Sequence, residues 1–336
     1  MKEMISRMII IGFDQESLSE SSPFALEIKK YPPGGVILFD RDFHDPGKIK
    51  NIHDPQQLKK LTKQIRSFAS SPLLIAVDQE GGKVSRLRPE DGFSPVPSAY
   101  QIGREDNPDR AKKVYMKLAE ELSELGINCD FAPVLDLCTN PDNYVIRGME
   151  RSYGKSPQKV TRYARIFYDA LHSHGIISVY KHFPGHGSSA GDSHKGLVDI
   201  TETWNPVELE PYKRLIKESR ADVIMTAHVF NRDLDPEYPA TLSYRINTEL
   251  LRNELGFKGV ILTDDMQMKA ISDYYKLPKA LTLAINAGIN MLIFGNQLNE
   301  ISLTKIVDTI YEEVSKGNIA IDKIVESNRR IEGLFK

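Results

Sequence analysis

Eight short runs of apolar, largely β-branched residues recur along the chain, and longer amphipathic stretches separate them. The runs are Met8–Phe13, Gly35–Phe39, Leu73–Val77, Ile127–Ala132, Ile176–Tyr180, Asp222–Thr226, Gly259–Thr263 and Asn290–Phe294. Each has the length of a strand, and most are apolar without alternation, the pattern of parallel strands covered on both faces. Helical spacing appears at Gln57–Phe68, Asp109–Gly126, Pro157–Gly175, Asn205–Ser219, Asn247–Gly256, Leu277–Gly288, Glu300–Gly317 and Asp322–Leu334. Strands alternating with helices predict the α/β class. Eight of each favour a single (β/α)8 TIM barrel over residues 1–336. An open doubly wound sheet shares this alternation, and spacing alone does not decide closure.

Composition narrows the classes of partner. Forty-four Lys and Arg against 46 Asp and Glu leave a net charge of −2, with no basic excess for nucleic acid or an anionic membrane. The first residues, MKEMISRMIIIGFDQE, hold too short an apolar stretch for a signal peptide. No run approaches the ~18 apolar residues of a spanning helix. Cys129 and Cys138 are the two cysteines, a sparse usage that fits a reducing compartment. The expectation is a soluble cytoplasmic monomer.

Polar residues follow the strand runs in turn. Asp14 follows the first, Asp40 and Arg41 the second, and Asp78 the third. Asp136 lies shortly after the fourth, Lys181 and His182 follow the fifth, and His228 the sixth. Asp264 and Asp265 follow the seventh, and Asn296 the eighth. In a barrel these positions converge on one rim, where such folds keep their chemistry. A lone Asp after a strand is as often a helix cap or turn former. Asp14 and Asp136 are left at that structural reading, and Asp265 is read as structural beside Asp264.

The segment Lys181–His194, KHFPGHGSSAGDSH, is the most informative, since it holds three of the eight histidines and lacks periodicity. His182, His186 and His194 would suit zinc in an alternative, metal-dependent barrel hydrolase. However, the HxxxH spacing passes through Pro184 and Gly185, so no helix face aligns the imidazoles, and neither CxxC nor HExxH accompanies it. No metal and no cofactor are expected. Trp204 stands in a helix-entry stretch and is assigned no role.

Four motifs resemble glycoside hydrolase family 3, in its bacterial β-N-acetylglucosaminidase branch. KHFPGHGSSAGDSH is similar to that branch's histidine loop, and LIAVDQEGGKVSRLR (Leu74–Arg88) to its DxEGGxVxR segment. RSYG (Arg151–Gly154) and VILTDDMQM (Val260–Met268) resemble its RSFG-like loop and its nucleophile segment. All four occur in family order. Two departures stand out. The loop Val145–Arg151 is a residue or two longer than usual, so Arg147 competes with Arg151 for the sugar-binding role. Ser188 replaces a frequent acidic residue.

The resemblance implies a retaining exo-glycosidase acting on cell-wall muropeptide fragments in peptidoglycan recycling. Asp264 would be the nucleophile and His194 the general acid/base, with Asp192 holding its imidazole. Asp78, Arg86, Arg151, Lys181 and His182 would bind the sugar. A histidine donor suits neutral pH, since its ordinary pKa lies near 6.5. Glycines at 185, 187, 191 and 196 suggest a loop that rearranges when sugar binds. Other family 3 exo-glycosidases, a β-glucosidase or a glycosyl phosphorylase, are the remaining alternatives. The residues after Asp264 suffice for the last strand and its helices, which favours a donor on the barrel's own loop.

Overall fold

The computed structural model describes residues 1–191 and 196–336. Among these residues the barrel is formed by eight parallel strands, β1 (Ile9–Ile11), β2 (Gly35–Ile37), β3 (Leu74–Val77), β4 (Cys129–Asp130), β5 (Ile177–Phe183), β6 (Val223–Thr226), β7 (Val260–Asp265) and β8 (Met291–Phe294). Each pairs with its neighbour in chain order, and β8 returns to β1, with Ile9, Ile10 and Ile11 opposite Leu292, Ile293 and Phe294. The sheet is therefore a closed barrel, and the open sheet is excluded.

Each predicted run contains a strand. Most strands stop short of the run's ends, and β4 keeps only two residues before Pro133, which has no amide to donate. Two strands do the opposite. β5 continues through Lys181, His182 and Phe183, and β7 through Asp264 and Asp265. These polar extensions carry residues of the candidate site.

Helices surround the barrel, and their starts follow from local chemistry. Asp54, Asn107 and Ser156 each accept amide hydrogen bonds at a helix start followed by proline, in Pro55–Phe68, Pro108–Glu124 and Pro157–His172. The stretch predicted as one helix over Asn205–Ser219 divides into a tight 3-10 turn, Pro206–Leu209, and an α-helix, Glu210–Lys217. Pro211 falls in the first α turn, where its missing amide costs nothing. The helices Lys2–Ser6, Pro23–Lys30 and Ala99–Glu105 were not legible in the spacing, being too short to show a full period.

One continuous apolar core joins the barrel interior to the strand–helix layer. Cys129 and Cys138 are both buried and unpaired. Among the described residues, no helix is long and apolar enough to cross a membrane. On the outer layer, Tyr115 of Pro108–Glu124 meets Phe167 of Pro157–His172 edge to face, with centroids 4.8 Å apart. Both rings are almost completely buried. Phe167→Ala should therefore lower unfolding stability by roughly 3–5 kcal/mol through lost burial and the cavity left behind. Urea denaturation checks this, and a loss under about 1 kcal/mol would mean the two helices close over the gap.

Candidate active site

The rim at the carboxyl ends of the strands carries a connected set of charged side chains. At its centre the Lys181 ammonium, 3% exposed, lies 2.8 Å from Asp78 Oδ1 and 2.8 Å from Glu80 Oε1. Glu80 also takes a two-pronged bond from Arg151, Nε to Oε2 at 2.8 Å and a terminal nitrogen to Oε1 at 2.7 Å. That same Arg151 nitrogen lies 3.2 Å from His182 Nε2. Arginine only donates, so Nε2 accepts and the ring proton sits on Nδ1. There it donates to Asp136 Oδ2 at 2.6 Å.

Burial alone would raise the Glu80 carboxyl, but the Arg151 and Lys181 charges hold it well below the usual carboxylate range. Burial would likewise lower the Lys181 ammonium, and Asp78 and Glu80 outweigh it, so the group is held charged. Burial would raise the Asp136 carboxyl too, but the hydrogen bonds it accepts from the His182 ring and the His186 amide hold it below the usual range. Asp130, at the end of β4, is the exception. Burial pushes its carboxyl well up, aided by Asp78 and Glu80, despite the Gln79 amide and Lys181.

Arg86 sits at the outer edge of this set. Its terminal nitrogens stand 3.7 Å from Asp40 and 3.7 Å from Asp78, beyond hydrogen-bond reach. Its buried Nε has no hydrogen-bond partner among the described residues. The guanidinium stacks over Phe39 at 5.3 Å. Gln79 holds the segment beneath it, its side-chain oxygen accepting the amides of Arg86 and Leu87 at 2.8 and 2.9 Å.

Two strand irregularities aim the site. In a regular strand, consecutive side chains point to opposite faces. The β5–β6 register shifts between Tyr180 and Phe183, which lets Lys181 and His182 both serve the rim. The β7–β8 register shifts between Leu262 and Asp265. Here Asp264 is half-buried, its Oδ1 accepting the Asp265 amide at 2.8 Å. The Asp265 carboxylate is turned to its surroundings, accepting from Gln267 N at 3.0 Å and Gly295 N at 3.2 Å. Its carbonyl accepts from His228 Nε2 at 2.9 Å, tying the end of β6 to the end of β7. The structural role expected for Asp265 thus has named partners.

The structure joins Asp78, Arg86, Arg151, Lys181 and His182 in one neighbourhood, and Asp264 ends β7 on the same rim. Arg151, rather than Arg147, belongs to it. Arg147 stacks on Tyr100 at 4.8 Å, on a turn of i→i+5 bonds over Tyr144–Gly148. Asp192 and His194 lie outside the described residues. Asp14 is a surface ion pair with Lys48 at 2.7 Å, as a structural reading expects. Asp136 also has a structural task, directed at the site: its carboxylate accepts the His182 ring at 2.6 Å and the His186 amide at 2.8 Å. Glu80 was missed. Its spacing of two from Asp78 was the available signal, since a D-x-E pair in an extended segment shares a face.

The loop after β5 starts under tight constraint. Trp204 Nε1 donates to Pro184 O at 3.1 Å, which gives that tryptophan a structural task. Buried Asn143 donates to His186 O at 2.8 Å and Gly187 O at 3.2 Å. A Cβ at Gly187 would lie 1.7 Å from Leu137 O, so only glycine fits. Among the described residues no group of His, Cys, Asp and Glu has the arrangement of a metal site.

Together, a closed parallel barrel and an ion-paired polar cluster at its carboxyl-end rim define a (β/α)8 protein of the enzyme-like kind. The chain belongs to glycosyl hydrolase family 3, whose N-terminal domain pattern matches residues 2–334. It is 39% identical over 276 residues to the Beta-hexosaminidase of Tolumonas auensis, covering 80% of this chain and 78% of that one. It is 36% identical over 288 residues to Beta-hexosaminidase A of Pseudoalteromonas piscicida, covering 79% of this chain and 46% of that protein. Among solved structures, a glycoside hydrolase family 3 β-N-acetylglucosaminidase from Paenibacillus superposes with a TM-score of 0.89 at 32% identity. That match covers 99% of this chain but 62% of the Paenibacillus chain. This chain thus spans about half to two-thirds of some relatives' length and more than three-quarters of others'.

Two buried groups set opposite trends of stability with pH. Burial pulls the His186 imidazole down to about 4, so the native chain refuses a proton that the unfolded chain takes near 6.5. That contribution is lost as pH falls from about 6.5 to about 4. Burial pushes the Glu208 carboxyl up from 4.5 to about 7, so the native chain keeps a proton the unfolded chain has released. Stability therefore falls as pH rises from about 4.5 through about 7, by roughly 3 kcal/mol. Thermal melts across this range should show Glu208→Gln gaining on the parent as pH rises, then a constant difference above neutrality. A difference independent of pH would contradict it.

Proposed function

We propose that this chain removes terminal β-linked N-acetylglucosamine from cell-wall muropeptide fragments with retention of configuration. Asp264 attacks the anomeric carbon while His194, oriented by Asp192, protonates the departing oxygen. The bond from Asp264 to the anomeric carbon forms as the glycosidic bond breaks. Water then attacks that carbon, His194 takes its proton, and Asp264 is released.

The observation that carries this reading is the ion-paired cluster on the rim at which the strand bearing Asp264 also ends. Asp78 offers an acceptor to sugar hydroxyls, and Arg86 offers donors that stand beyond hydrogen-bond reach of Asp40 and Asp78. Arg151, Lys181 and His182 complete the sugar-binding set. Side-chain exposure falls from 28% at Arg86 to 3% at Lys181. The likeness to proteins named beta-hexosaminidase supports the amino sugar as substrate. The buried, unpaired cysteines support a reducing compartment. Within this reading the protein works as a cytoplasmic monomer in peptidoglycan recycling, and its single barrel domain needs neither metal nor cofactor.

Asp264→Ala should lose turnover on the order of a thousandfold or more while still binding N-acetylglucosamine. A slow 2-fluoro sugar should label Asp264 in the parent, read by peptide mass spectrometry. Label on another residue would sink the nucleophile assignment. His194→Ala should lose about a hundredfold on a natural disaccharide and little on a dinitrophenyl glycoside, which needs no proton to depart. Equal losses on both would remove His194 from the acid role. Chromogenic β-glucoside and β-N-acetylglucosaminide, assayed side by side, should differ strongly in favour of the amino sugar.

A further inference from the structure

The loop after β5 leads from Pro184 through Ser189 toward residues 192–194. Two consecutive amides at its root meet buried carboxylates from different parts of the chain. His186 N donates to Asp136 Oδ1 at 2.8 Å, and Gly187 N donates to Glu208 Oε2 at 3.1 Å. Asp136 comes from the loop after β4. Glu208 comes from the 3-10 turn Pro206–Leu209.

Glu208 is not a surface glutamate. It is 1% exposed, while its neighbours Pro206 and Val207 face solvent. Turning a carboxylate inward is costly unless it is hydrogen-bonded there. Its target is the loop root. Gly185, at φ +124°, lies so close that a Cβ there would stand 2.6 Å from Glu208 Oε2. On the opposite side, Gly187 is pressed against Leu137 O. Trp204, four residues before Glu208, holds Pro184 O, so one short segment grips the root at two points.

We propose that Glu208 is a positioning residue for the proton-donating step, its carboxylate fixing the root of the loop whose sequence runs on to His194. This rests on the assignment of His194 as acid/base. Glu208 touches neither sugar nor reacting atoms and acts through the Gly187 amide. The other groups facing it are the Ser188 amide and hydroxyl, the Asp136 carboxylate and the Tyr212 phenol from Glu210–Lys217. Burial moves its carboxyl toward neutrality, so near pH 7 both its charged and its protonated forms are present. A charged acceptor grips an amide more strongly than a neutral one.

The test compares Glu208→Gln with His194→Ala on β-N-acetylglucosaminides whose leaving groups run from dinitrophenol to a natural sugar. Glutamine preserves shape but replaces one acceptor oxygen with a donor. Glu208→Gln should lose roughly tenfold in kcat/KM on the poorest leaving group and under about twofold on dinitrophenol, a smaller copy of His194→Ala. Inhibition by free N-acetylglucosamine should be unchanged. Should Glu208→Gln not fold, Glu208→Asp, which keeps the charge but withdraws it by one methylene, carries the same comparison. A loss equal across leaving groups, or no loss, while His194→Ala shows the split, overturns the role of Glu208 alone. Absence of the split in His194→Ala overturns both assignments.

Discussion

The ammonium of Lys181 between Asp78 and Glu80 is the contact on which the rest of the rim depends. It joins the end of β5 to the segment after β3, and Glu80 passes the connection to Arg151 in the loop after β4. Taking such charges from water is expensive, and their mutual attraction offsets this only when geometry is good and remaining bonds are made. Here Glu80 receives three short bonds from two cations. Removing any one partner would strand another in a dry site, which makes the cluster behave as a unit. What the arrangement supplies is a rim cluster whose charges are already balanced.

Rigid aim comes from strands that break their own rule. A regular β5 could offer the rim either Lys181 or His182, and a regular β7 would follow strict alternation at Asp264 and Asp265. Register shifts at both places release that constraint while the strands remain anchored in the sheet. The displaced residues are then fixed individually. His182 is held by Asp136 and Arg151, and Asp265 by Gln267, Gly295 and His228. Asp264 is thereby carried on a backbone with little freedom.

The loop after β5 combines a glycine-rich sequence with a heavily tethered start. Asp136, Asn143, Trp204 and Glu208, from the segments flanking β5, all bond its first residues. Glycine here serves close approach rather than looseness at two positions, since Gly185 lies against Glu208 and Gly187 against Leu137. Reading those glycines only as a mark of motion overlooks that the root is tightly packed.

Much of the fold was legible because burial on both faces writes itself into a strand as an unbroken apolar run, and eight such runs were countable. Helix starts were legible because caps and prolines act over three or four residues. Rim residues such as Asp78, Lys181 and Asp264 could be read from their place after a strand. Asp136 and Glu208 could not, since a carboxylate's partner lies in another loop and nothing in its own neighbours announces burial. The choice of Arg151 over Arg147 was equally hidden, because it turns on which of two cations one turn apart meets Glu80. The sequence by itself determined the period, the order of the elements and the residue types at the strand ends, all of which are local properties. Closure of the barrel, the pairing of its charges and the tethering of its loop were decided only in three dimensions, because each depends on groups that the chain brings together from far apart.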